Sequence, residues 1–166
     1  GPSGSFAFDV RAGFAGTLGF SARGLQAAAT VAGSVVDDPT DEFVVGGPGI
    51  TTHTVTIPAG TTYARFSLFD TEVDGAHDLD LYVYKGSTLV GSSGSGTSQE
   101  EVNLKDPVAG DYTVYVHGWQ TDGGRTANYT LFSWALGTSG AGSNLALPAS
   151  RAVTVGGTTA VTVGWS

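Results

Sequence analysis

The stretch that decides the fold class is DLDLYVY, residues 78–84. Its apolar residues Leu79, Leu81 and Val83 alternate with aspartates and tyrosines. A period of two places the apolar residues on one face of a β-strand and the others on the opposite face. We therefore predict a strand that turns one face to a hydrophobic core and presents two aspartates and two tyrosines on the other.

Short alternating segments also flank this stretch on both sides, and they are rich in the Val, Thr, Tyr and Phe that fit a pleated sheet. Apolar residues share one face in residues 64–68 (Ala64, Phe66, Leu68) and in residues 112–116 (Tyr112, Val114, Val116). Further strands are predicted at 6–11, 17–22, 30–36, 52–57, 89–93, 100–104, 129–134, 152–155 and 159–163. Gly156 and Gly157 are predicted to join the last two as a hairpin. This pattern predicts an all-β fold, an antiparallel β-sandwich that is fibronectin-III-like or jelly-roll-like.

The chain divides by composition into four parts. Residues 1–5 are typical of a cleavage and cloning remnant and are expected to lie outside the fold. Residues 6–50 supply N-terminal strands and a loop that belong to the sandwich or pack on it, and residues 51–136 form the central sandwich. Residues 137–166 are expected to form a linker and a terminal hairpin, or the start of a truncated following domain.

The composition favours an exported protein and excludes some partners. The 166 residues include no cysteine and no methionine, and the formal net charge is −8. A negative charge of this size repels nucleic acid and anionic membranes, so neither is expected as a partner. No apolar run reaches the length of a membrane span. We predict an extracellular protein.

Motifs for catalysis are missing from the sequence. No serine lies in a Gly-x-Ser-x-Gly elbow, and no glycine-rich loop ends in the Gly-Lys-Ser/Thr of a phosphate-binding loop. The three histidines, His53, His77 and His117, are interpreted as solvated surface residues. We therefore predict no catalytic residues and no enzymatic activity in this chain.

The densest chemical signal is the acidic run of residues 70–80. Calcium takes six to eight oxygen ligands, mainly from carboxylates and backbone carbonyls. The candidate ligands are Asp70, Asp74, Asp78 and Asp80. The alternative is a solvated loop whose carboxylates cap turns. A second acidic run, residues 37–42, is a weaker candidate for the same ion.

Aromatic residues share the non-core face with these aspartates. If residues 78–84 and 112–119 form neighbouring strands, a strip forms from Tyr82, Tyr84, Tyr115 and Trp119. Flat Tyr and Trp rings suit contact with a polymer. The alternative is ordinary cross-strand packing, or cover by the N-terminal strands.

Residues 55–136 resemble a known family of extracellular domains. The residues that carry the resemblance are the aspartate-alternating strand 78–84, the PVAGDY turn of residues 107–112 and the strand that ends in Phe132-Ser133-Trp134. They are similar to the fibronectin-III-like or pre-peptidase C-terminal β-sandwich that follows the catalytic domain of secreted bacterial, particularly actinobacterial, subtilisin-family serine proteases. Collagenase collagen-binding domains have a similar aspartate-bearing strand and bind calcium, so the resemblance also favours Ca²⁺.

The resemblance implies an accessory role. The expected partner is a protease domain upstream in the parent chain, and the module would stabilise that enzyme or help it engage protein substrate. Two alternatives remain open from the sequence. One is a module that binds an extracellular polymer, collagen or polysaccharide, and the other is a structural adhesin-like domain.

Overall fold

The computed structural model describes residues 3–137 and 144–166 and shows an all-β chain. The predicted fold class is confirmed. The only helices in the described part are two short 3-10 turns at Asp70–Glu72 and Asp122–Gly124, and none is long and apolar enough to cross a membrane. The strands, in chain order, are β1 (Gly4–Arg11), β2 (Gly16–Leu18), β3 (Ala29–Val35), β4 (Ile50–Ile57), β5 (Thr61–Ser67), β6 (Asp78–Lys85), β7 (Thr88–Ser93), β8 (Glu101–Lys105), β9 (Gly110–Gln120), β10 (Ala127–Gly137), β11 (Leu145–Ala146), β12 (Arg151–Val153) and β13 (Thr158–Trp165).

The chain forms two compact units, one of which is a sandwich built from residues 27–137. One sheet has the order β3-β10-β5-β8 and the other the order β4-β9-β6-β7, and all strand pairs are antiparallel. The sequence placed the central sandwich at residues 51–136, whereas the structure adds β3, which pairs with β10 from Ala29 to Val35.

The core of the sandwich consists of the alternating residues that the sequence singled out. Leu79, Leu81 and Val83 of β6 are fully buried, as are Val114 and Val116 of β9. From the other sheet come Ala64 and Phe66, with Leu68 just beyond the end of β5. Burying these side chains supplies the hydrophobic driving force of the fold, about 1.5–3 kcal/mol for each large residue.

The second unit combines residues from both ends of the chain. β1 pairs with β13 over eight residues, from Gly4 opposite Trp165 to Arg11 opposite Thr158, and β12 pairs with β2. The predicted hairpin between the last two strands is therefore wrong: a turn joins β12 to β13, but each finds a partner near the N-terminus. Gly4 and Ser5 belong to β1, contrary to the expectation that residues 1–5 lie outside the fold. The predicted linker begins at residue 137, and residues 138–143 lie outside the described residues.

Candidate functional site

The outer face of the β4-β9-β6-β7 sheet brings the predicted site residues together. β6 and β9 are neighbours, with Tyr82 opposite Tyr115 and Asp80 opposite His117. Because side chains alternate along a strand, the aspartates and tyrosines of β6 lie on the face away from the core. The predicted aromatic strip requires β6 and β9 to be neighbours, and they are.

A loop covers the centre of this face. Residues 36–49, the covering loop, connect β3 to β4 and place Phe43 over the sheet. The ring of Phe43 stacks on Tyr82 with ring centroids 3.7 Å apart, and it meets Tyr115 edge-on at 5.7 Å. Tyr82, Tyr84 and Tyr115 are consequently only partly exposed, whereas Trp119 keeps 40% of its surface in contact with solvent.

The covering loop is fixed by a buried ion pair. Nε2 of His117 lies 2.8 Å from Oδ2 of Asp38, and both side chains are inaccessible to solvent. Asp38 also accepts hydrogen bonds from the backbone N–H and the hydroxyl of Thr40, each at 2.8 Å. On the other side of the ring, Nδ1 of His117 faces Oδ2 of Asp80 at 3.5 Å, which is too long for a good hydrogen bond.

The charges of this cluster oppose the effect of burial on its pKa values. Burial alone would lower the pKa of His117, but Asp80 and Asp38 beside the ring raise it above the usual value. Burial alone would raise the pKa of Asp38, but the bonds from Thr40 and His117 lower it. The charged forms of both groups are therefore favoured in the folded protein, and the pair holds the covering loop to the sheet.

The interpretation of the histidines as surface residues is wrong for two of the three. His117 is fully buried and His77 is 5% exposed. Nδ1 of His77 accepts the backbone N–H of Asp122, so the neutral ring carries its proton on Nε2, which lies 3.4 Å from Oδ1 of Asp74. His53 is half-buried and its Nε2 lies 2.8 Å from the Tyr129 hydroxyl.

The four carboxylates predicted to bind calcium are not arranged around one point. Asp74 accepts hydrogen bonds from the backbone N–H and the side-chain amide of Asn128, which occupy both of its oxygens. Asp80 faces His117, whereas Asp70 and Asp78 line a separate depression with His77. Within residues 3–137 and 144–166, no three His, Asp or Glu side chains are grouped as a metal site. The set of four stays a prediction, of which Asp70 and Asp78 are the two that line one depression.

Glu100 is fully buried near this face, and no motif in the sequence singled it out. Its carboxylate accepts hydrogen bonds from the backbone N–H of Ser95 at 2.8 Å, from the Ser95 hydroxyl at 2.6 Å and from the Ser93 hydroxyl. A buried carboxylate needs donors of this kind to offset its desolvation. Burial of the phenol raises the pKa of Tyr82 to about 12, and the charges of Asp80 and Glu100 add to this effect.

An open depression of about 360 Å³ lies between β9 and the end of β7, next to the covered part of the face. Its wall includes the exposed Trp119 and its floor includes Asp80. We call it the Trp119 depression. The remaining lining residues all carry hydroxyl groups or lack a side chain: Tyr82, Ser92, Ser93, Gly94 and Ser95.

Comparison with known proteins agrees with the resemblance seen in the sequence. Residues 50–118, somewhat under half of the chain, match the family model of the bacterial pre-peptidase C-terminal domain. Pyrolysin from Pyrococcus furiosus is 37% identical over 67 residues, and the aligned part covers 39% of this chain but only 5% of pyrolysin. The predicted resemblance to the pre-peptidase C-terminal family is confirmed for this segment.

Two solved structures are similar in outline. The pre-peptidase C-terminal domain of a collagenase from Bacillus anthracis is 15% identical with a TM-score of 0.45, over 65% of this chain and 90% of that domain. Aeromonas hydrophila PliG, a periplasmic inhibitor of g-type lysozyme, is 13% identical with a TM-score of 0.42, over 66% of this chain and 87% of the inhibitor.

Proposed function

We propose that this chain is a non-catalytic accessory module of a secreted subtilisin-like serine protease, which stabilises the enzyme or helps it engage protein substrate. The observation that carries the proposal is the match of residues 50–118 to the pre-peptidase C-terminal family, together with the 37% identity to a segment of pyrolysin. The protease domain would lie upstream in the parent chain, and the whole protein would be exported.

The geometry of the site supports a role in binding and gives no support to catalysis. His117 is enclosed by two carboxylates and by Phe43, whose ring centroid lies 5.8 Å from that of the imidazole. A general base must come within hydrogen-bond reach of the proton that it removes. With no surface exposed to solvent, His117 meets no substrate unless the covering loop opens.

The test compares the parent protease with a form that lacks residues 3–166. We expect kcat/KM on a short chromogenic peptide to be unchanged, since the module contributes no catalytic group. We expect either a shorter half-life at elevated temperature or a lower rate of degradation of an intact protein. If neither the half-life nor the degradation of protein changes, the accessory role is wrong.

A polymer-binding module is the second candidate, and the exposed Trp119 favours it. The predicted strip of Tyr82, Tyr84, Tyr115 and Trp119 is not a continuous open platform, because Phe43 covers its centre. Contact with collagen or a polysaccharide would therefore centre on Trp119. Sedimentation with insoluble collagen and chitin, for the wild type and Trp119→Ala, tests this candidate.

Calcium stays part of the proposal in a restricted form. Asp70 and Asp78 line one depression together with the polar side chains of Thr97 and Gln120. Asp78 has its pKa raised by burial and by the charges of Asp80 and Glu100. A divalent cation would relieve that repulsion.

A further inference from the structure

The floor of the Trp119 depression includes the carboxylate of Asp80. Asp80 is 5% exposed. Its Oδ2 faces His117 and Tyr82, whereas its Oδ1 lies beside Gly94, where an added Cβ would stand 2.8 Å from it. Among the residues that the structure describes, none donates a hydrogen bond to this Oδ1. An ionised carboxylate oxygen only accepts hydrogen bonds, so Oδ1 can receive a ligand that brings donors into the depression.

The electrostatic field around the depression is negative. Glu100 lies directly behind Ser93 and Ser95, and Asp78 interacts with the charges of both Asp80 and Glu100. Asp38, Asp78, Asp80 and Glu100 carry four negative charges when ionised, and a protonated His117 offsets one, which leaves −3. In the described part of the chain, the arginine ion pairs are Arg65 with Glu101 and Arg125 with Asp122, so neither neutralises this cluster.

An aromatic wall beside a carboxylate suits a cation. A guanidinium group can stack on the face of an indole ring while its N–H groups donate to a carboxylate. Trp119 is exposed enough to receive a partner on its surface, and it packs edge-on against His117 with ring centroids 6.2 Å apart. A neutral sugar would also find an aromatic surface and hydroxyl groups here, but it would leave the negative charge without compensation.

We propose that the Trp119 depression binds a basic side chain, preferably arginine, of an extended polypeptide partner, with the side chain between Trp119 and Oδ1 of Asp80. The inference rests on the proposed accessory function and deepens it, because it names the chemical feature by which the module engages protein substrate. The hydroxyl groups of Ser92 and Ser95 supply further acceptors at the rim.

The test uses the whole chain and two blocked peptides of the sequence Gly-Gly-X-Gly-Gly, in which X is arginine or its neutral isostere citrulline. Titration is followed by the amide resonances of Trp119 and Ser95. We expect the arginine peptide to shift both resonances and the citrulline peptide to bind about tenfold more weakly, the loss of one charge-assisted contact. Equal binding of the two peptides would overturn the proposal.

Variants locate the binding and separate it from general attraction to an acidic protein. We expect Trp119→Ala to weaken binding of the arginine peptide about fivefold, because one exposed cation–π contact contributes about that much to affinity. Asp80→Asn removes the carboxylate at nearly constant shape. Asp9→Asn, on the exposed β1, removes the same charge elsewhere and should change nothing. If Asp80→Asn fails to fold, Trp119→Ala and the citrulline peptide still decide the question. An equal effect of Asp9→Asn and Asp80→Asn would contradict a specific site.

A xylo-oligosaccharide and a chito-oligosaccharide serve as the alternative ligands. Shifts of the Trp119 resonance by either sugar, with none from the arginine peptide, would assign the depression to carbohydrate and overturn the proposal. Binding of the peptide is measured on the chain alone, whereas the accessory function is measured on the protease. Peptide binding without any effect on the protease would therefore leave the site standing and reject only the accessory role.

Discussion

Phe43 lies flat on Tyr82, with ring centroids 3.7 Å apart and ring planes inclined by 8°. The contact joins a loop residue to the central strand of a sheet, and the buried pair of Asp38 and His117 secures the same loop a few residues earlier. Together they convert an exposed sheet face into a partly covered one.

We expect Phe43→Ala to destabilise the protein by about 1–2 kcal/mol, the value of a partly buried aromatic ring with a stacked partner. Urea unfolding followed by circular dichroism measures the change. The matched control is Val44→Ala, the next residue, which is 54% exposed and should stay within about 0.5 kcal/mol of wild type. If the two variants are equally stable, Phe43 does not hold the covering loop.

The buried pair predicts a pH window of stability. The pKa of His117 is raised in the folded state. Its contribution to folding stability is therefore complete below about pH 6.5 and is lost as the pH rises through the pKa of the folded state. The pKa of Asp38 is lowered, so its contribution is complete above its usual value of 3.8 and is lost as the pH falls through the folded value. The stability supplied by the pair is therefore greatest between these limits.

His117→Gln tests this window. The difference in unfolding free energy between wild type and variant should be largest at about pH 5–6 and should shrink above pH 6.5. For His53 the pH dependence of stability has the opposite sign. Burial lowers its pKa, so its contribution to folding stability is lost as the pH falls. His53→Gln therefore serves as the second comparison. A difference for His117→Gln that is constant from pH 5 to pH 9 would contradict an ionised pair.

Gly33 leaves room for the ring of Tyr129 on the neighbouring strand. A Cβ at Gly33 would stand 2.6 Å from Cζ and from the hydroxyl oxygen of Tyr129, closer than real contacts allow. Tyr129 is 3% exposed and lies 2.8 Å from His53, so it has little freedom to move. We expect Gly33→Ala to lower the free energy of unfolding by about 1–3 kcal/mol, measured by thermal unfolding. Gly96→Ala, where an added Cβ meets nothing within 4 Å, is the control and should be nearly neutral.

Calcium binding is tested by thermal unfolding with excess CaCl₂ and with EGTA. If the folded chain binds the ion, a calcium concentration of 100 times Kd adds about 2.7 kcal/mol of stability, and Tm rises. Asp78→Asn should abolish the rise, whereas Asp74→Asn should not, because Asn128 already holds both oxygens of Asp74. An identical Tm in the two solutions would remove calcium from the proposal.

The strands and the core were predictable because they follow from a local rule. Leu79, Leu81 and Val83 repeat every second residue, and the structure buries all three. The position of the covering loop was not predictable in this way. It has no periodicity, and the partners that fix it are 79 residues apart in the case of Asp38 and His117.

The candidate site was also only partly predictable from local sequence patterns. The alternation placed Asp80, Tyr82 and Trp119 on one face, but only the fold shows that Phe43 covers the tyrosine and leaves the tryptophan open. The turn at Gly156 and Gly157 was also visible in the sequence. The pairing of β13 was not visible in the sequence. A turn motif predicts a local hairpin and carries no information about the ladder of eight residue pairs that β13 forms with β1.

The pairing of β1 with β13 has a mechanical consequence. Gly4 and Trp165 lie opposite each other at the same end of an antiparallel ladder. Tension applied through these two residues would separate the strands one residue pair at a time, a low-force unzipping and not a shearing of the whole ladder. Residues 27–137 lie between the two strands in sequence, so the sandwich would carry no load until that ladder had opened.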